Sequence, residues 1–367
     1  MNWHRIHRLG LVVGIITLLT AACGGGTTTA ASPWATATSA AGSGGMDALV
    51  KAAQAEGTLN VIALPPDWTN YGAIISAFSA KYGIAINSIN PNGGSQDELN
   101  AIKTLGKRGP DVLDVGTSYG PKNLSLFAPY QVTAWNDIPT AAKEPTGLWV
   151  EDYGGYMAIG YDSAKVPAIT SINDLLGPKF NGKVALAGVA TASNQAVNSI
   201  MMVSLANGGS LDDISKGVAW FRTLKQKGNW VPSKGTTATV KAGGTPVLFE
   251  WDYLSQNHVH DVPTWKVWLP TGQVIGSYYE QAISKAAPHP AAARLWEEYL
   301  YSTEGQNFYL KGGAHPIEQA AMTAAGTIDK VAVAALPPVN GTPVFMNDAQ
   351  GAAASAYLAA NWAQAIG

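Results

Sequence analysis

Apolar positions along this 367-residue chain change period repeatedly. Asp47 to Glu56 reads as a short helix ended by Gly57. Thr58 to Leu64 reads as a buried strand stopped by Pro65-Pro66. Asp67-Trp68-Thr69-Asn70 then opens a helix whose apolar stripe is Tyr71, Ile74, Ile75, Phe78 and Tyr82, the spacing of a helix lying on a sheet. Gly83 closes it, and Ile84 to Ile89 is a second strand. Ser95 to Glu98 has the form of a capping box ahead of Leu99, Ile102 and Leu105. Asp111 to Val115 is a third strand. This β-α-β-α-β order calls for a mostly parallel sheet with helices on its faces.

Trp149 to Tyr161 breaks the rhythm. It is aromatic, Gly-rich and without a helical stripe, and reads as an extended crossover into a second lobe. That lobe repeats the theme. Lys183 to Leu186 is a strand, Gly188 to Ser193 a loop of small residues, and Ser193-Asn194 starts a helix carrying Val197, Ile200 and Met201. A second helix follows over 211–224, then a strand at 246–250. Thr264 to Tyr279 is extended again and reads as the return crossover. Helices after Pro288, near 303–310, and around Leu358, Trp362 and Ile366 complete the chain. The expected fold is therefore α/β with two lobes, each a mostly parallel sheet flanked by helices, joined by two extended crossovers.

Ligands in such sheets bind beyond the carboxyl ends of the strands. Asp67-Trp68, Ser95, Thr117-Ser118-Tyr119 and Ser193-Asn194 all fall there. So does Trp251-Asp252-Tyr253, which follows the 246–250 strand, and the return crossover brings Tyr278-Tyr279 and Glu280 near the same place. Carboxylates beside aromatic rings suit an organic cation, by charge pairing and by ring–cation attraction. The same rings suit a sugar or a thiamine-like heterocycle, and the helix starts at Ser95 and Ser193 suit an anionic group. Glu250 still belongs to the strand's alternation, so Trp251 and Asp252 are favoured over it. Each ring has an equally plain reading as core.

Charged residues make up only 13% of the chain, well below the usual ~25%. Arg5 and Arg8 precede an apolar run, Leu9 to Leu19, which is too short to span a bilayer and suits an export signal. The run ends at Ala21-Ala22-Cys23, and Cys23 is the sole cysteine. These residues resemble a bacterial lipobox, which implies a lipidated Cys23 as the new N-terminus. Losing residues 1–22 removes Arg5 and Arg8 and leaves 21 basic against 25 acidic residues. That mildly acidic balance gives no support to nucleic-acid binding.

Pro65-Pro66-Asp67-Trp68, Pro110 to Gly116, Glu250 to Tyr253, Ala287 to Trp296 and Ser302 to Gln306 together resemble the extracellular solute-binding lipoproteins of bacterial ABC importers, in the type II periplasmic-binding-protein group. The spermidine/putrescine branch is most similar. The ferric-ion branch carries adjacent tyrosines directly after the strand equivalent to 246–250, where this chain has Trp251-Asp252-Tyr253. The resemblance implies a signal peptide over 1–23, a flexible tether over 24–45, a first lobe over 46–150, a second over 151–263, and a return to the first lobe with C-terminal helices over 264–367. It further implies a monomer without cofactor, metal or catalysis. The expected partners are a small solute, a permease–ATPase complex, and the membrane through the lipid anchor.

Rival chemistry is present. Gly116-Thr117-Ser118-Tyr119-Gly120 fits the G-x-S-x-G pattern of a serine hydrolase, with Asp252, Asp261, His289 and His315 downstream. Against it, Pro121 follows at once and no HGGG-type stretch is visible. His258-Val259-His260 would put two imidazoles on one face if extended, or would simply be a polar loop. Asp111 and Asp114 read as flanks of a strand. A sensor or adhesive lipoprotein on the same fold is the further alternative.

Overall fold

The computed structural model describes residues 32–117 and 119–367. The export signal, Cys23, Ser118 and the first part of the expected tether lie outside the described residues. In chain order the first elements are α1 (Met46–Glu56), β1 (Thr58–Ile62), α2 (Tyr71–Tyr82), β2 (Ala85–Ile89), α3 (Ser95–Leu105), β3 (Val112–Gly116) and β4 (Phe127–Ala128). The long crossover strand β5 (Val150–Asp162) leads to β6 (Val184–Leu186), α4 (Asn194–Ala206), α5 (Ser215–Gln226), α6 (Thr237–Lys241), β7 (Val247–Trp251) and α7 (Asp252–Asn257). Then come β8 (Trp265–Trp268), the return strand β9 (Gln273–Ser284), α8 (Pro290–Leu300), α9 (Thr303–Lys311), β10 (His315–Pro316), α10 (Gln319–Ala325), α11 (Lys330–Ala334), β11 (Thr342–Phe345) and α12 (Asp348–Ile366).

The α2 stripe packs as its spacing requires: Tyr71, Ile74 and Phe78 are fully buried, and Gly83 ends the helix in the left-handed conformation. Within the lobes β1 pairs parallel with β2, and β6 with β7. The crossovers add antiparallel pairing. β5 pairs with β9 through its first half and with β7 and β8 through its second. β9 also receives β3 antiparallel and β11 parallel. A single sheet ordered β11-β9-β5-β7-β6 thus runs through both lobes, and the two crossover strands are its middle.

Two segments depart from the expected organisation. Residues 32–45 are packed, although their composition suits a tether. Trp34, Ala37 and Ala40 are buried, and the buried Arg294 on α8 donates to the carbonyls of Ala37 at 2.8 Å and Ala35 at 3.4 Å. One tryptophan and one guanidinium suffice to anchor a stretch otherwise poor in apolar surface. The C-terminal helix α12 lies against α5 and α4, with Trp362 edge-on to Phe221 at 5.5 Å and to Trp230 at 6.3 Å. Lys225 donates to the carbonyl of Ile366 and to Gly367, while Lys122 donates to the carbonyl of Ala352 at 3.0 Å. The chain therefore crosses back to the second lobe a last time.

Candidate functional site

Between the lobes lies a cleft of about 320 Å³. The first lobe contributes the turn after β1 with Asp67 and Trp68, the turn from Pro91 into α3, and Asp114 from β3. The second contributes Ala187 to Gln195 around the start of α4, Lys234 to Thr237, and Glu250, Leu254, Asn257 and His258 from β7 and α7. Tyr279 of β9 also lines it. The lobes meet across its mouth, where the Gln96 amide donates to the Ala192 carbonyl and Lys234 Nζ to the Asn92 carbonyl, each at 3.5 Å.

Of the residues expected from sequence, Asp67, Trp68, Ser95, Ser193, Asn194 and Tyr279 line this cleft. Thr117 does not; its hydroxyl is 3.3 Å from that of Ser277, which also accepts from Asn194 Nδ2 at 3.2 Å. Tyr119 is buried among Leu99, Leu113, Val115 and Phe127. Tyr278 and Tyr279 alternate on β9, so they face opposite ways. Tyr279 meets Trp68 edge-on at 5.7 Å, whereas Tyr278 stacks on Phe345 at 6.2 Å.

The stretch after 246 is reversed from expectation. Glu250 lines the cleft, while Trp251, Asp252 and Tyr253 turn inward and are fully buried. β7 runs one residue further than its apolar run suggests, so alternation puts Glu250 and Trp251 on opposite faces. Trp251 donates from Nε1 to the Tyr279 hydroxyl at 3.2 Å and lies parallel to Tyr253 at 6.4 Å. Asp252 Oδ1 accepts from the amides of Tyr156 and Tyr253, each at 3.0 Å, which ties α7 to the crossover strand. Burial pushes its carboxyl up to about 7. These three residues form the wall behind the site. Trp251→Ala is accordingly expected to cost about 3–5 kcal/mol of stability in urea unfolding. Affinity loss at unchanged stability would instead put Trp251 back in the cleft.

Ser95 and Glu98 also differ from their sequence reading. The N-cap of α3 is Gly94, and its amide is bonded by Asp97 Oδ2 at 3.0 Å. Ser95 Oγ accepts from the Gly116 amide at 3.0 Å and Glu98 Oε2 from the Asp114 amide at 2.8 Å, so both hold the end of β3. His258 and His260 sit in a short 3-10 turn instead of an extended segment. His258 is buried, with Nε2 3.0 Å from the Glu250 carboxylate. Burial pulls its imidazole down, but the hydrogen bond and charge of Glu250 outweigh this and raise it. Among the described residues no group of three or more His, Cys, Asp or Glu side chains is placed to hold a metal ion. Of the histidine candidates for a triad, one is paired with a carboxylate. His289 Nδ1 is 2.8 Å from Asp111 Oδ2, and His315 belongs to β10, against Tyr156.

The cleft carboxylates that sequence reasoning passed over are Asp97, Glu98 and Asp114. Asp111 does act as a strand flank, accepting from the amides of Asn60 at 2.7 Å and His289 at 2.6 Å. Asp114 projects into a buried cage of tyrosines. Its Oδ2 accepts from the hydroxyls of Tyr153 at 2.7 Å and Tyr71 at 3.0 Å, and Tyr153 in turn accepts from Trp68 Nε1 at 2.7 Å. Its Oδ1 is buried without a hydrogen-bond partner. The signal was there: a carboxylate inside the apolar run Val112-Leu113-Asp114-Val115 needs a reason to be buried.

The model of the family described as bacterial extracellular solute-binding protein matches residues 120–330. The chain belongs to that family. Solved structures agree with the two-lobed architecture of this solute-binding protein. The periplasmic binding protein AgtB from A.tumefacien R10, in complex with agropinic acid, aligns with a TM-score of 0.67 at 14% identity, over 84% of this chain and 98% of that one. A putative spermidine/putrescine ABC transporter from Listeria monocytogenes aligns at 0.64 and 12% identity, over 84% and 98%. Iron-bound HitA from Pseudomonas aeruginosa aligns at 0.62 and 18% identity, over 82% and 97%. At these identities the likeness speaks to fold; AgtB holds agropinic acid and HitA holds iron. No helix among the described residues is long and apolar enough to cross a membrane.

Proposed function

We propose that this solute-binding protein serves an ABC importer and captures a small organic cation, a polyamine or similar amine, between its lobes. The observation that carries this reading is the set of acidic side chains gathered in the cleft. Five carboxylates line it (Asp67, Asp97, Glu98, Asp114 and Glu250) against Lys234 and His258. Trp68 and Tyr279 supply ring faces beside them. A charge-assisted hydrogen bond contributes about 1.5–3 kcal/mol and a ring–cation contact about 0.5–2 kcal/mol. A few of each reach micromolar affinity after the cost of association. Glu98 and Asp114 stand on the first lobe and Glu250 on the second, so one cation touching both favours the closed arrangement.

Ferric ion fits less well, because Tyr278 is turned away from the cleft that Tyr279 lines. The protein is held to the membrane through lipidated Cys23, acts as a monomer without catalysis, and hands its solute to a permease and ATPase.

A thermal-shift screen of the exported protein with spermidine, putrescine, thiamine, aminoethylphosphonate, sugars and Fe(III) tests the reading. A polyamine at 100 times its dissociation constant adds about 2.7 kcal/mol, or roughly 5 °C for a chain of this size. Glu250→Gln should weaken the hit at least tenfold. A shift given by a sugar or by Fe(III) alone would sink the cation assignment.

A further inference from the structure

We infer that Glu98 and Asp114 form a cation subsite on the floor of the cleft, filled by a protonated primary amine in the complex and by a proton in its absence. This rests on the reading of the solute as an organic cation and adds an exchange reaction to it.

The argument begins with solvation. Glu98 is 1% exposed and Asp114 5%. They touch, since Glu98 Oε2 accepts from the Asp114 amide at 2.8 Å. A third buried carboxylate, Asp152, lies behind them. It accepts from Tyr309 at 2.8 Å and Gln281 at 3.0 Å, and the Tyr309 hydroxyl is 3.3 Å from that of Tyr71, a donor to Asp114. Three carboxyl groups are thus gathered in one dry cage. The groups facing Asp114 are Tyr71 from α2, Glu98 from α3, Tyr153 and Asp152 from β5, Tyr253 from α7, Tyr309 from α9, and Tyr279 from β9.

Every one of these is acidic or phenolic. Among the described residues none of the ion pairs involves Glu98, Asp114 or Asp152. The two basic groups that line the cleft are engaged elsewhere, Lys234 with the Asn92 carbonyl and His258 with Glu250. Buried carboxylates without a counter-ion are too costly to keep ionised, and they take up protons. Burial raises Glu98 well above its ordinary range and brings Asp114 to about 7.

Two features make the floor a site for a ligand, beyond a cluster of acids. Asp114 Oδ1 is a buried acceptor with no partner, on a residue that lines the cleft. Trp68 and Tyr279 line the same cleft edge to face, 5.7 Å apart, as an apolar pair suited to a methylene stem. An ammonium supplies both missing parts, a donor and a positive charge. As it docks, the carboxyl O–H proton leaves to water and the carboxylate pairs with the ammonium. No covalent bond is made and charge is conserved.

The test is calorimetric titration of the exported protein with spermidine at pH about 6.5, in phosphate and in bis-Tris, whose ionisation enthalpies differ. Wild type should release about one proton per molecule bound, and affinity should rise close to tenfold per pH unit below pH ~7. Asp114→Asn and Glu98→Gln should each lower the affinity and reduce the proton release. The infrared band of a protonated carboxyl in the solute-free protein should shrink in both variants, which remains readable where one variant binds too weakly for calorimetry. Spermidine binding without proton release, or a solute-free protein lacking that band, would overturn the exchange and leave the cation reading standing. No heat with spermidine at any pH would overturn both.

Discussion

Gly94→Leu should weaken solute binding roughly 30- to 150-fold, the equivalent of about 2–3 kcal/mol, while the solute-free protein melts within about 3 °C of wild type. Gly94 caps α3 with extended backbone (φ −123°, ψ 175°), which any residue adopts without strain. A Cβ there would lie 2.8 Å from the Ala192 carbonyl oxygen of the opposite lobe. That is closer than such atoms approach, and the obstacle is backbone, so no side-chain rotation relieves it. A leucine meets it only when the lobes are together. Overpacking of this order costs about 1–3 kcal/mol, and it falls on the closed state alone. Loss of the glycine cap adds up to about 1 kcal/mol within the helix. Titration of the variant, with scanning calorimetry of the solute-free protein, separates the two effects. Unchanged affinity would mean that the mouth does not close through this contact.

The second large effect is on stability against pH. The protein should be most stable near pH 4–5 and lose about 3 kcal/mol or more on going to pH 8.5. Burial raises several carboxyls, bringing Asp114 and Asp252 to about 7 and Glu151, Glu297 and Glu318 to about 8. An unfolded carboxyl titrates near 4. Between about pH 4 and 8 the folded chain therefore holds more protons than the unfolded one, and stability falls as pH rises through that window. His258 and His289 have the same sign. Each is raised, so its contribution is present below the ordinary histidine value and lost as pH climbs through the folded one. His315 opposes them, because burial lowers it and its contribution fades as pH falls. A melting temperature that rises steadily from pH 5 to 8.5 would contradict this account.

Much of the fold could be read from periodicity because its helices obey local rules. The α2 stripe, the Gly57 and Gly83 stops and the aromatic Gly-rich crossover at 150–162 all lie where their patterns put them. The site was harder to read. Alternation separates Glu250 from Trp251, but tertiary placement decides which face meets solvent. Aromatic residues around 251–253 were as much core as ligand, and here they are core. Asp114 looked like a strand flank because its purpose depends on Tyr71, Tyr153 and Glu98, from three other elements. Ser95 and Glu98 have capping-box spacing, yet they spend their oxygens on β3, a long-range partner that no local pattern reveals.

The course of the C-terminus has a mechanical meaning. Two strands joining two bodies fix a hinge line but leave the bodies free to twist and shear about it. Here the chain makes a third passage: β11 runs beside β9, and α12 then lies along α4 and α5, with Lys122 of the first lobe bound to its backbone. A third attachment removes part of that freedom. Fewer open geometries means less entropy lost when the lobes shut. A larger share of the solute's contact energy then appears as affinity.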